Sequence, residues 1–413
     1  MRSITEHLAE VLALAVPRSA TPVLATEALG RVLAVDAVAT LPVPPFSNSA
    51  MDGFLVHSAD VPAGEEPWTV PVVGDVPAGS GPVTVPPGHA VRIMTGAPIG
   101  RDHTGLRVIP VEDTDIPPGP VPLPTEITIE RVQEHRTHIR LQGENTQPGD
   151  TIIPAGALID AGAIAAAVSC GITHLSVYPA PRVAVLSTGD ELVPPGVTPG
   201  PGQLPDSNLP MVEALVATCG ITATAVHAGD GDEATARILD ELCATHDLVI
   251  TTGGISAGAF DVVRAVTTGE GMWFGHVAQR PGASQGLGRR GEAVLLCLPG
   301  NPVAAYVSFW LYFPPLLSAL AGAATSTDIW TRPHVIARVA DGVTLPSSPD
   351  RAFLAPVRLT YDRDGVVAAP FNRRATGSHL VGSLATTNGL AVVEPGAEKP
   401  TPGSSIRVLL LGA

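Results

Sequence analysis

At three places in this 413-residue sequence, polar or flexible residues stand directly behind an apolar run. Residues 182–186 lead through Ser187-Thr188-Gly189 into two adjacent carboxylates, Asp190 and Glu191. Leu248–Thr252 leads into Gly253-Gly254-Ile255-Ser256, and residues 294–298 lead into Pro299-Gly300-Asn301-Pro302. Adjacent acids are costly neighbours unless a cation or hydrogen-bond donors meet them. A hard cation such as magnesium takes oxygen ligands and keeps several waters. Paired glycines let backbone N–H groups approach a phosphate. A helix opening at Ser256 would favour an anion by roughly 0.3–1 kcal/mol when exposed. The residue types therefore suit a cation held by acids and a phosphate held by glycine-loop amides. The plain alternative is that glycine and aspartate after a strand only make turns.

Three apolar runs ending this way imply a parallel sheet, because ligands of open α/β sheets sit outside the carboxyl ends of the strands. The intervening pattern agrees. Ser207 and Asn208 are placed to cap a helix with Pro210 near its first turn, and Val212, Leu215, Val216 and Cys219 share one face. Residues 221–226 read as a strand, 230–246 as a helix, and 273–278 as a strand; a long helix starts near Val303. This alternation predicts a doubly wound sheet with helices on both faces. Ahead of it, Ser3-Ile4-Thr5-Glu6 is a capping-box pattern opening a helix, and residues 42–142 are short β-like runs punctuated by proline and glycine. Residues 160–170 form a small-residue helix stopped by Gly171. After Gly322 a period-two pattern (Phe353, Ala355, Val357, Leu359, Tyr361) and the turn Asp362-Arg363-Asp364-Gly365 predict a small β domain.

Composition bounds the partners. With 43 glycines and 42 prolines spread between apolar segments, the chain reads as rich in tight turns. Its length gives a prior of about three domains. A net charge of −15 argues against a nucleic-acid backbone or an anionic membrane as main partner. Lys399 is the only lysine, so arginine and histidine must make any other cationic side-chain contact. Cys170, Cys219, Cys243 and Cys297 are far apart in apolar patterns, as in a reduced cytoplasmic protein. The N-terminus carries acids and is no signal peptide, and the closest thing to a membrane span, residues 303–320, contains Pro314-Pro315.

Taken together, NSAMDG (48–53), RIMTGAP (92–98), GEN (143–145), VLSTGDELVPPG (185–196), DSN (206–208), TTGGISAGAFD (251–261), RPG (280–282) and LPGNPVAAYVSF (298–309) resemble the molybdopterin molybdenumtransferase family, which includes the gephyrin E domain. The resemblance runs over essentially the whole chain. It implies a multidomain α/β protein: a linker domain from 1–41 and 143–178, a β-rich lid at 42–142, a three-layer α/β/α molybdopterin-binding core at 179–323 and a C-terminal β-barrel at 324–413. It also implies a homodimer in which the lid of one subunit approaches the core of the other. The implied reaction takes adenylylated molybdopterin and molybdate and releases AMP and molybdenum cofactor, with Mg2+. A molybdopterin adenylyltransferase is the implied upstream partner.

The resemblance also implies roles. Glu191, Asp52, Asp261 and Thr95 carry catalysis, with Asp52 and Thr95 on the lid. Asp190, Glu191, Asp230 and Asp261 share the metal directly or through water, although Asp230 follows a strand and serves equally well as a helix cap. Gly253, Gly254, Ser256 and Arg280 hold phosphate, Pro299, Gly300, Asn301 and Pro302 shape the pterin site, and Ser378 matches a functional barrel serine. Three departures fall on anion binding. Asn145 replaces the family's aspartate, His276 and Arg280 stand where the family has lysines, and Ala283-Ser284 replace Lys-Pro. They leave open a second reading, a non-catalytic molybdopterin carrier or scaffold. A nucleotide-binding Rossmann enzyme is disfavoured, since no GxGxxG follows a strand.

Overall fold

The structure is a computed structural model and describes all residues except 63–66, 101, 134, 230, 256–261, 268, 270, 371–379 and 413. The chain divides into two compact units, one of residues 22–29 and 35–176, the other of residues 1–21, 30–34 and 177–413.

Helix α1 (Ile4–Ala13) opens with the expected capping box. Ser3 Oγ accepts from the Glu6 amide at 3.1 Å, and Glu6 Oε2 accepts from the Ser3 amide at 2.7 Å. Its inward face buries Leu8, Val11 and His7. In the unit of residues 35–176, β1 (Gly53–His57), β2 (Trp68–Val76), β3 (Ala90–Ile93), β4 (Leu106–Pro110) and β5 (Glu126–Ile129) form one sheet in the order β4-β1-β3-β2-β5. Alternation along β1 sends Leu55 into one apolar cluster and Phe54 and Val56 into another. Helix α2 (Ala161–Ser169) is capped by Asp160, whose Oδ1 accepts from the Ala163 amide, and buries only Ala167.

The other unit holds a six-stranded sheet of β6 (Val183–Thr188), β7 (Ala223–Ala228), β8 (Leu248–Thr252), β9 (Trp273–His276), β11 (Ser284–Arg290) and β12 (Ala293–Leu298), in the order β7-β6-β8-β12-β11-β9. The first four are parallel. Strands β11 and β9 extend the sheet antiparallel, a departure from the purely parallel expectation. Val183 and Val185 pack with α1, α3 (Asn208–Thr218) and α6 (Pro302–Leu320). Ala184 and Leu186 pack on the other face with α4 (Asp232–Thr245) and α5 (Val262–Thr267). The result is the three-layer core. Strands β13 (His334–Val339), β14 (Ala352–Asp362), β15 (Gly365–Ala369), β16 (Gly389–Val393) and β17 (Ser405–Leu410) close into a five-stranded barrel, β14-β15-β13-β17-β16 and back to β14. The short β10 (Gln279–Arg280) adds parallel to β14.

Three local expectations change, and the long helix expected from Val303 holds. The strand expected at 221–226 is β7 at Ala223–Ala228, because Ile221 still closes the α3 terminus, its amide reaching Val216 O. Ser207 makes no side-chain cap for α3; Asp206 Oδ1 accepts from the amides of Asn208 and Leu209, both at 3.1 Å. Tyr361 leaves the barrel's inward row and is 79% exposed, on the hairpin end of β14 that pairs with β15 beyond the last β16 partner. Helix α6 continues through Pro314 and Pro315. Pro314 has no N–H for the carbonyl of Trp310, and Arg332 Nη1 donates to that carbonyl instead, at 2.6 Å. Among the described residues α6 is the one helix long and apolar enough to cross a membrane, and 78% of that stretch is buried inside the fold.

Candidate active site

The ends of β6, β8 and β12 meet. A Cβ on Gly253 would lie 3.1 Å from the Thr188 carbonyl oxygen, one on Gly254 3.2 Å from Thr188 Oγ1, and one on Gly300 3.3 Å from the Gly253 Cα. The Gly253 amide donates to Leu298 O at 3.3 Å. Gly253 and Gly254 have φ of +89° and +64°, which glycine adopts without cost. The sequence therefore places glycine where three backbones touch and where two consecutive residues turn left-handed. Asn301 caps α6, its Oδ1 accepting from the amides of Val303 and Ala304 at 3.1 and 3.2 Å, and Pro302 takes the first turn. Pro299 joins β12 to this turn.

The two acids behind β6 diverge. Glu191 folds back so that its Oε2 is 2.5 Å from where a Gly189 Cβ would stand. Asp190 turns the other way, its Oδ1 lying 2.6 Å from the corresponding point on Gly229, beyond β7. Both are exposed. No group of three His, Cys, Asp or Glu side chains that could hold a metal occurs among the described residues. Asp230, Asp261, Ser256 and Ser378 lie outside the described residues.

Next to the acids stands a cluster that the sequence reading left without a role. The buried Ser187 hydroxyl donates to Asp206 Oδ2 at 2.6 Å, and His227 Nδ1 lies 3.0 Å from the same hydroxyl oxygen. With its proton given to Asp206, the hydroxyl accepts from His227. Asn208 Nδ2 donates to Gly300 O at 2.7 Å. Asp206 and Asn208 thus tie β6, the start of α3 and the Pro299–Pro302 turn together. The tripeptide DSN was visible in the sequence, but its partners at 187, 227 and 300 come from distant segments. Around these ends Thr188 Oγ1, Thr252 Oγ1 and Asn208 Oδ1 are buried with no hydrogen-bond partner. Such atoms suit a polar ligand better than a dry core.

Arg280 opens on a cavity of about 390 Å³ lined by Gln279, Arg280, Gly282, Ala283, Ser348, Asp350 and Arg351. The barrel therefore brings a second arginine to the place where Ala283 offers no charge. Arg351 Nε is 3.6 Å from Asp350 Oδ2. His276 ends β9 and its carbonyl accepts from the Arg2 amide.

In the other unit Asp52 Oδ1 accepts from the Thr95 hydroxyl at 2.7 Å and from the Thr95 amide at 2.6 Å. These donors, the hydroxyl foremost, hold the carboxyl below its ordinary value. Asp52 also borders a cavity of about 320 Å³ with Phe54, Arg92, Met94 and the proline-rich stretch 116–121. Asn145 sits in a turn where its amide donates to Val43 O.

The molecule's likenesses follow this architecture. Residues 2–171 match the model of the MoeA N-terminal region (domain I and II), 184–319 that of a probable molybdopterin binding domain, and 338–411 that of the MoeA C-terminal region (domain IV). Molybdopterin molybdenumtransferase 2 of Mycobacterium tuberculosis is 35% identical over 425 aligned positions, covering 99% of both chains. The molybdopterin molybdenumtransferase of Staphylococcus epidermidis is 32% identical over 93% of this chain and 89% of its own. A solved structure of the MoeA molybdopterin biosynthesis protein of Pyrococcus horikoshii superposes with a TM-score of 0.77 at 25% identity, over 99% of this chain and 98% of that one. With motifs, domain matches and fold agreeing from one end to the other, this chain belongs to the molybdopterin molybdenumtransferase (MoeA) family.

Proposed function

We propose that this protein transfers molybdenum from molybdate into adenylylated molybdopterin, releasing AMP and molybdenum cofactor. Its adenylylated substrate would come from a molybdopterin adenylyltransferase. The observation that carries the reading is the convergence of Thr188, Gly253, Gly254 and Gly300 at the ends of three parallel strands, with Glu191 beside them. In this reading the Gly254 amide and the unpaired Thr188 and Thr252 hydroxyls receive the pterin and its phosphates, while the Gly253 amide ties the turn to Leu298 O. The Pro299–Pro302 turn shapes the floor. Arg280 and Arg351 suit a tetrahedral oxyanion, either substrate phosphate or molybdate. Catalysis by such a site is positional and electrostatic.

The donor chemistry fits magnesium: Glu191 offers a hard oxygen at the strand ends, Asp190, turned toward Gly229, would reach the ion through water, and this ion takes one or two carboxylates along with phosphates and water. Asp230 and Asp261 complete the proposed acid set. Bound there, the ion would neutralise charge on the phosphates. Asp52 and Thr95 would act from the lid of a second subunit, which makes the homodimer part of the proposal. Exposed Leu24, Leu29, Val38, Leu158 and Val168, on segments neighbouring α2, support such an association.

The test pairs molybdopterin affinity with molybdenum incorporation in wild type and Glu191→Gln, given adenylylated molybdopterin, molybdate and magnesium. Loss of one carboxylate charge should abolish incorporation and leave pterin affinity within about threefold, since the metal depends on that charge more than the pterin does. Equal incorporation by both proteins would remove Glu191 from the mechanism. Binding without incorporation even in wild type would favour the carrier reading, which Asn145 and Ala283 support.

A further inference from the structure

Beneath the Arg280 turn lies a polar network inside an otherwise apolar core. Gln279, Gln285, Ser308 and Tyr312 are each fully buried. Gln279 Nε2 donates to Ser308 Oγ at 3.1 Å and to Pro281 O at 3.2 Å. Gln285 Nε2 donates to the same Ser308 Oγ at 2.7 Å and to Gly282 O at 2.7 Å. The Tyr312 hydroxyl, one turn further along α6, donates to Gln279 Oε1. Both glutamines thus grip a carbonyl of the Arg280-Pro281-Gly282 turn with one hand and α6 with the other. Gly282 has φ +84°, and a Cβ there would stand 2.9 Å from Ser308 Oγ.

Burying four polar side chains costs free energy unless each bond is made, and one here is not: Gln285 Oε1 has no partner. Leucine or methionine would anchor the turn to α6 without that cost. What apolar packing does not supply is direction. Bonds to two successive carbonyls fix the rotation of the turn, and Arg280 is part of that turn.

We infer that Gln279, Gln285, Ser308 and Tyr312 are positioning residues that set the Arg280 guanidinium against the oxyanion in the cavity it shares with Arg351. This rests on the oxyanion role proposed for Arg280. No residue of the network needs to touch the reacting atoms.

The experiment measures insertion kinetics against molybdate and against adenylylated molybdopterin, in wild type, Arg280→Gln, Tyr312→Phe, Ser308→Ala and Tyr312→Phe combined with Arg280→Gln. Calorimetric binding of molybdate alone and of adenylylated molybdopterin alone is recorded alongside, so that a wild type without turnover still gives a readout. Arg280→Gln identifies the source of the oxyanion, as whichever constant it raises. Tyr312→Phe should raise that same constant roughly three- to tenfold, the scale of one lost hydrogen bond, and Ser308→Ala, which loses two, at least as much, with the other constant unchanged. In the Arg280→Gln background Tyr312→Phe should add nothing, because the network acts through Arg280. Additive losses in the double variant, or equal losses in both constants, would reduce the network to structural support and overturn the inference. Should Tyr312→Phe fail to fold, Ser308→Ala carries the test, and an unchanged constant there overturns the inference as well. Should Arg280→Gln raise neither constant, the oxyanion role falls and the inference falls with it.

Discussion

Asp52 receives two donors from one residue, the hydroxyl and the amide of Thr95, and both favour its ionised form. Thr95→Val removes the hydroxyl and keeps the amide, so the Asp52 carboxyl should titrate closer to the ordinary value of about 3.9. The folded value lies below the unfolded one, so the stability Asp52 lends is present above about pH 3.9 and is lost as pH falls through the folded value. In Thr95→Val that acid dependence should shrink, and NMR titration of the Asp52 carboxyl reads it directly. An unmoved titration would show that the hydroxyl does not hold the carboxylate in solution. Asp52→Ala should lower activity with little change in Tm, because the side chain is exposed; loss of activity only in step with loss of stability would make it a structural residue. At this scale the sequence shows residue types but not directions. Asp190 and Glu191 are neighbours in the chain, yet one carboxylate lies toward Gly229 and the other over Gly189. Nothing in the letters separates them. The Ser187–Asp206–His227 contacts are equally silent, since each partner comes from a different segment.

Elements were easier to read where local preference and burial agree. The runs ending at Leu186, Thr252 and Leu298 are β-branched or aliphatic and fully buried, so a strand was the economical reading. Strand β11, SQGLGRR, was missed because glycine and arginine are poor strand signals. Its glycines answer to neighbours: a Cβ on Gly286 would lie 2.5 Å from a Phe274 ring carbon, and one on Gly288 would lie 2.3 Å from Met272 Sδ. Helix α6 was read correctly despite Pro314 and Pro315, whose local cost tertiary structure repairs. Arg332→Leu should expose that repair. It leaves the Trp310 carbonyl without its donor, costing about 1–3 kcal/mol, and denaturant titration should show the lower midpoint. An unchanged midpoint would mean that water or a neighbouring group takes the arginine's place. At the other end of the unit, burial pushes His7 down to about 4, with the Arg2 charge adding to it. Its contribution to the docking of α1 is fully present above about pH 6.5 and is lost as pH falls toward about 4. His7→Phe should flatten stability across that window in denaturant titrations at several pH values.

For the whole molecule, the family resemblance foresaw the class of fold, because motif order along the chain survives where pairwise contacts are invisible. The closed barrel shows why pattern alone stopped short. Period two foresees strands, but closure of β14 onto both β15 and β16 is a matter of topology. The proposed dimer has one ground in the fold, the exposed apolar residues near α2. Sedimentation at micromolar concentration should show it, and a monomer alone would end that proposal. One contact also sets a clock. Leu8 and Val11 of α1 are buried in the same cluster as Phe309, Tyr312 and Phe313 of α6, and roughly 290 residues of chain separate the two helices. At synthesis rates of about 5–20 residues per second the first helix waits roughly 15–60 s for the surface that covers it. The intervening unit of residues 35–176 carries its own clusters and has no such delay. Helix α1 is thus made early and buried late, and in that interval its apolar face is open to any chaperone that reads it.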